Sequence, residues 1–103
     1  MRFMLVGRIP MDRGNEIIKD GSLGDRIQAI LTDIKAEAAY FTAVDGCRGG
    51  YIVVDLEDAS QIPAVAEPLF LSLGATVEFY PVMTPEDLQK AGPAIRQAVE
   101  KHS

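Results

Sequence analysis

Tyr40-Phe41-Thr42-Ala43-Val44 and Tyr51-Ile52-Val53-Val54 are two short runs of β-branched and aromatic residues, joined by Asp45-Gly46-Cys47-Arg48-Gly49-Gly50. Such residues suit the half-buried, pleated surface of a sheet. Two runs of this kind around a glycine-rich connection read as a β-hairpin, with the connection expected over the whole of Asp45 to Gly50. What flanks that hairpin then decides the fold.

Upstream, Leu23, Ile27, Ile30, Leu31 and Ile34 recur at helical spacing and form one apolar face. Gly21 and Gly24 interrupt the approach to it, so Asn15 to Asp20 is expected as a separate turn or a loosely joined first segment. Before that, Phe3 to Arg8 is an apolar strand closed by Ile9-Pro10. Downstream, a second helix begins near Ser60 with Ile62, Ala66, Leu69, Phe70 and Leu73 on its apolar side. Pro63 suits its first turn, Pro68 is expected to kink or shorten it, and Gly74 stops it. Thr76 to Val82 reads as a fourth strand. Thr84-Pro85-Glu86-Asp87 announces a third helix, with a capping Thr, a proline at its first position and acids in its first turn. Leu88, Ala91, Ile95 and Val99 give that tail a stripe, and Gly92-Pro93 is expected to break or kink it.

The order is β-α-β-β-α-β plus a tail helix. This is the ferredoxin-like arrangement, an α+β fold with a four-stranded antiparallel sheet. With no linker, no low-complexity tract and no repeat of letters, residues 1–103 are expected to form a single domain.

Composition removes several function classes. Leu, Ile, Val and Phe together number 29 of 103 residues, too many for a disordered chain. A chain of this length buries about two thirds of its unfolded surface. Ten Lys plus Arg against 15 Asp plus Glu leave a net charge of −5, and the cations are scattered. No stripe exists to neutralise phosphates, and no Trp offers a base-stacking platform, so nucleic acid is not an expected partner. No apolar run approaches the ~20 residues needed to span a bilayer, so no membrane is expected either. The apolar N-terminal run is too short for a signal peptide. The lone Cys47 cannot form an internal disulfide, which fits a reducing compartment, and the cytoplasm is the expected location.

Both faces of the expected sheet carry apolar residues. Phe3 and Leu5 oppose Met4 and Val6; Tyr51 and Val53 oppose Ile52 and Val54; Val77 and Phe79 oppose Tyr80 and Val82. Two crossover helices cover one face only. An uncovered second face would show a larger apolar patch than monomers normally carry. The tail helix or a second copy must cover it, and sheet-to-sheet packing of a homodimer or higher homo-oligomer is the more economical solution.

The run from Val44 to Val82 contains Gly46, Val54-Asp55-Leu56-Glu57-Asp58-Ala59, Pro68-Leu69-Phe70 and Val77-Glu78-Phe79-Tyr80-Pro81-Val82. It resembles the muconolactone isomerase family within the dimeric α/β-barrel superfamily. It also resembles small uncharacterised bacterial proteins of that superfamily in which a V-x-x-x-P-V strand precedes an acidic C-terminal helix. The resemblance implies two ferredoxin-like subunits joined through their sheets and a small hydrophobic ligand between sheet and helices. Activities in the superfamily include lactone isomerases and haem-dependent or cofactor-free monooxygenases. The long third helix, the missing Trp and the terminal position of the only His depart from that pattern, and no catalytic residue is carried over.

Candidate chemistry follows from residue types. His102 lies in the last turn of the chain, which leaves no histidine for a triad, a zinc site or haem ligation. No metal or cofactor is therefore expected. Cys47, beside Arg48, reads as an incidental thiol. Asp55, Glu57 and Asp58 precede a helix and read as its capping acids, although Asp55 ends a strand on the side of Tyr51 and Val53. Arg8 shares its side with Met4 and Val6, and Glu78 with Tyr80.

These strand-borne groups are the raw material of a small-molecule site. Tyr40, Tyr51 and Tyr80 can donate hydrogen bonds, Arg8 can hold a carboxylate, and Glu78 or Asp55 can act as a base. A carboxylate desolvated by apolar walls has a raised pKa and can move a proton alpha to a carbonyl near neutrality. Glu78 and Arg8, on neighbouring strands, equally read as a salt bridge at a sheet edge or dimer seam. The expected function is therefore binding of a small apolar or acidic metabolite, with isomerase-like proton transfer on a carbonyl or lactone as its chemistry. The rivals are a non-catalytic ligand-sensing or assembly protein and a cofactor-free monooxygenase.

Overall fold

The computed structural model describes all residues, Met1–Ser103. Its strands are β1 (Arg2–Arg8), β2 (Ala38–Val44), β3 (Cys47–Asp55) and β4 (Thr76–Pro81), in the sheet order β2-β3-β1-β4 with every neighbouring pair antiparallel. The helices are α1 (Met11–Lys19), α2 (Leu23–Asp33), α3 (Ile62–Leu73), α4 (Pro85–Lys90) and α5 (Gly92–His102), with a 3₁₀ turn at Ala59–Gln61 ahead of α3. This is the ferredoxin-like α+β fold.

The hairpin differs from its expectation in where it turns. Only Asp45 and Gly46 form the turn, with φ of 50° and 80°. Positive φ at both central positions is the type I′ geometry, whose twist matches that of the flanking strands. Cys47, Arg48, Gly49 and Gly50 therefore lie in β3, paired with Val44, Ala43, Thr42 and Phe41 of β2. Two glycines belong there because the backbones approach closely. A Cβ on Gly49 would stand 2.2 Å from the carbonyl oxygen of Gly7, and one on Gly50 would stand 2.4 Å from that of Tyr40.

One face of the sheet packs against α1, α2 and α3. Leu5, Ile52, Val54 and Leu56 from the sheet side meet Ile17 of α1, Ile30 of α2, and Val65, Leu69 and Leu73 of α3 in a single buried cluster. Leu5, Ile17 and Val54 are its fully buried centre. Two helical expectations change in detail, and a third holds. The segment before Gly21 is a regular helix that starts after Pro10, and its Ile17 is part of the core rather than of a loose turn. Helix α3 runs through Pro68 to Leu73 without being shortened, held by Val65, Ala66 and Leu69 on its buried side. The tail does break at Gly92-Pro93, into α4 and α5.

The tail does not cover the second face. Helices α4 and α5 bury no residue, and Leu88, Ile95 and Val99 of their apolar stripe are exposed. The molecule measures 59 × 28 × 20 Å, and its radius of gyration is 17.2 Å. A compact chain of this length has about 13 Å, so the tail stands away from the body. The open face presents Tyr40, Tyr51 and Tyr80 to solvent, with Val6 below them.

Candidate functional site

The sheet has two faces, and each carries an arrangement of its own. On the open face, β1 and β4 place Arg8, Glu78 and Tyr80 on one side, because Val6 pairs with Glu78 and Met4 with Tyr80. The Arg8 guanidinium donates to the Glu78 carboxylate from one nitrogen. Its Nε donates to Asp45 Oδ2 at 2.8 Å, and NH2 lies 2.6 Å from the same oxygen. The Tyr80 hydroxyl donates to the second oxygen of Glu78. Arg8, Glu78 and Tyr80 thus meet as the strand parity implied, joined by Asp45 from the type I′ turn. No sequence signal pointed to Asp45, since its role depends on the fold bringing that turn to the end of β1.

The electrostatics of this cluster run against one expectation. The hydrogen bond from Tyr80, together with that from Arg8, holds the Glu78 carboxyl below the ordinary carboxylate range, not above it. Accepting charge lies next to Tyr80, whose hydroxyl is pushed above the usual tyrosine value. Arg8 is held more firmly protonated by Glu78 and Asp45. The physical reason is that Glu78 is 45% exposed, so its partners outweigh desolvation. Asp55 does not join the group. It accepts from the N-terminal ammonium of Met1 at 3.0 Å, which keeps its carboxyl low as well. Tyr40 and Tyr51 face each other across β2 and β3 on the same open side, 69% and 37% exposed.

The other arrangement is a cavity on the helix side. It has a volume of about 610 Å³ and lies between the β2–β3 hairpin and helices α1 and α2. Leu23, Ile27, Ile30 and Leu31 of α2 and Phe41 of β2 form one part of its apolar wall, and Leu69 and Leu73 of α3 contribute to the rest. Helix α2 can spare its lining side chains because its apolar face is wider than the part the core uses, and only Ile30 of the helix is buried. Gly49 and Gly50 of β3 also line the cavity and add no side chain to its sheet side, where Phe41, Arg48 and Ile52 do.

Arg48 and Cys47 are the only titratable residues lining this cavity. Arg48 reaches from β3 to α1, where its NH1 donates to Asn15 Oδ1 at 2.9 Å and approaches Met11 Sδ at 3.9 Å. None of Arg8, Tyr40, Tyr51, Asp55, Glu78 and Tyr80 lines it. Arg48 was legible in principle: alternation run back from Ile52 through Gly50 places it on the helix side of β3. Reading Asp45 to Gly50 as a loop hid that alternation. Cys47 likewise is a half-buried strand residue rather than a loop thiol.

No family model matches the chain, and no curated protein matches it in sequence. Among solved structures it is similar to 5-chloro-2-hydroxyhydroquinone dehydrochlorinase from Burkholderia phenoliruptrix AC1100, determined in complex with 2,5-dihydroxybenzoquinone. The TM-score is 0.53 at 15% sequence identity, over 81% of this chain and 96% of that one. At that identity the likeness shows the fold. No helix of the chain is long and apolar enough to cross a membrane.

Proposed function

We propose that this chain is a small-molecule-binding protein whose ligand occupies the cavity between the hairpin and α2, and that two copies pair through their open faces as a dimeric α/β barrel. The cavity carries the first part: about 610 Å³, largely apolar, with one charged group, is the form that small-molecule sites take. The quinone in the structurally similar dehydrochlorinase supports the size and class of molecule to be tried first. The exposed Tyr40, Tyr51 and Tyr80 on an uncovered sheet face support the pairing. The absence of any carboxylate or histidine from the cavity lining favours ligand sensing or carriage over catalysis inside it.

Isomerase-like proton transfer on a carbonyl or lactone, as in the muconolactone isomerases, is a second reading. Its support is the connected Tyr80–Glu78–Arg8–Asp45 network on the open face. There Glu78 would act as base, Tyr80 and Arg8 would hold the ligand's oxygens, and a second copy would exclude water. Asp55, tied to the N-terminus, is the weaker base of the two. A thermal-shift screen against quinones, aromatic acids and lactones tests binding. A ligand at 100 times its Kd adds about 2.7 kcal/mol. Unchanged melting across the whole panel removes the binding reading; turnover of a lactone that Glu78→Gln abolishes would move the function to the open face.

A further inference from the structure

We infer that the cavity selects acids: its ligand is an apolar molecule with a single carboxylate or equally acidic oxygen pair, and Arg48 holds that end. The inference rests on the cavity being the binding site and adds the chemical class it takes. Arg48 is the only charged residue in the lining. It is also an arginine without an acid. Arg2, Arg8 and Arg13 each form an ion pair with a carboxylate, whereas Arg48, like Arg26 and Arg96 outside the cavity, forms none.

Its protein partners are the neutral amide oxygen of Asn15 and the thioether of Met11, both reached from NH1. Neither Nε nor NH2 donates to a protein atom, so the edge of the guanidinium that grips a carboxylate through two parallel hydrogen bonds is unengaged. The neighbouring helix leaves it room. A Cβ on the buried Gly14 would stand 2.8 Å from NH1. Asn15 fixes one nitrogen without neutralising the charge, because an amide oxygen carries a dipole only. A half-buried cation beside an apolar wall is poorly compensated until an anion arrives. The Leu23, Ile27, Leu31 and Phe41 wall meets the rest of such a ligand.

Cinnamate and cinnamamide, which share a shape and differ in charge, are suitable probes, titrated into the full chain by calorimetry. The wild type is expected to bind cinnamate about tenfold to a hundredfold more tightly than the amide. Arg48→Gln should bring cinnamate to the level of the amide while leaving the amide unchanged, and Arg48→Lys should retain part of the preference. Equal affinities on the wild type, or equal weakening of both by Arg48→Gln, would overturn acid selection and leave the cavity reading intact. Binding of neither compound would overturn both. Should Arg48→Gln fail to fold, the wild-type ratio and the Arg48→Lys variant still decide the matter.

Discussion

Replacing Gly49 by alanine tests whether the glycines of the hairpin are strand residues set by close backbone approach. The new Cβ would meet the Gly7 carbonyl oxygen at 2.2 Å and the Val44 side chain at 3.1 Å. Ordinary carbon–oxygen contacts are longer than 3 Å, and the oxygen belongs to a central strand, so no rotamer change relieves the clash. Strands β1 and β3 must separate near the Arg8–Gly49 rung. Overpacking of this kind costs about 1–3 kcal/mol. Losing one or two ladder hydrogen bonds adds about 0.5–1.5 kcal/mol each, for a total of about 1.5–6 kcal/mol. Gly46→Ala is the control. Nothing lies within 4 Å of its Cβ position, and its φ of 80° alone is strained. That substitution should cost about 1–2 kcal/mol. Urea unfolding at equal protein concentration reads both, with a slope of about 1–3 kcal/mol/M. A Gly49→Ala midpoint no lower than that of Gly46→Ala would refute the reasoning.

Three further outcomes follow from the packing and the charges. Leu5→Ala at the fully buried centre should lose about 2–5 kcal/mol in the same assay, and Leu71→Ala, 79% exposed, less than about 0.5 kcal/mol; similar losses at the two sites would contradict the assigned core. The carboxyls of Asp20, Asp55, Glu78 and Asp87 are all held low in the folded chain. Their contribution is complete above the unfolded values of about 3.9–4.3 and is lost as pH falls through the lower folded values. The urea midpoint should hold between pH 7 and 5 and drop by pH 3, less so in Glu78→Gln; a rise at pH 3 would have the wrong sign. Sedimentation of this 11.2 kDa chain at micromolar concentration should give a dimer. Tyr51→Asp should convert it to a folded monomer, whereas a monodisperse wild-type monomer would end the pairing proposal.

The parts of the fold that were legible rest on local rules. Thr84 and Asp87 form a reciprocal capping box, with Thr84 Oγ1 accepting from the Asp87 amide at 3.2 Å and Asp87 Oδ2 from the Thr84 amide at 2.9 Å. The spacing of Leu23, Ile27 and Ile30 gave α2, and alternation at Tyr51 to Val54 gave both sides of β3. Pro68 defeated a local rule because tertiary burial of α3 outweighs one missing backbone donor. Parity also brought Arg8, Glu78 and Tyr80 together correctly. It could not supply Asp45, which is 37 residues from Arg8 along the chain. Nor could it supply the approach of Arg48 to Asn15, a contact across 33 residues that exists only once α1 packs beside β3. The pKa of Glu78 was illegible for the same reason: exposure and partners are properties of the assembled sheet.

Backbone amide shift mapping during titration with 2,5-dihydroxybenzoquinone and cinnamate tests the cavity most directly. The account expects perturbations at Leu23, Ile27, Leu31, Phe41 and Arg48, which line the cavity, with Arg8, Glu78 and Tyr80 unmoved on the opposite face. Saturable shifts confined to the open face, or no shifts with either compound, would contradict it.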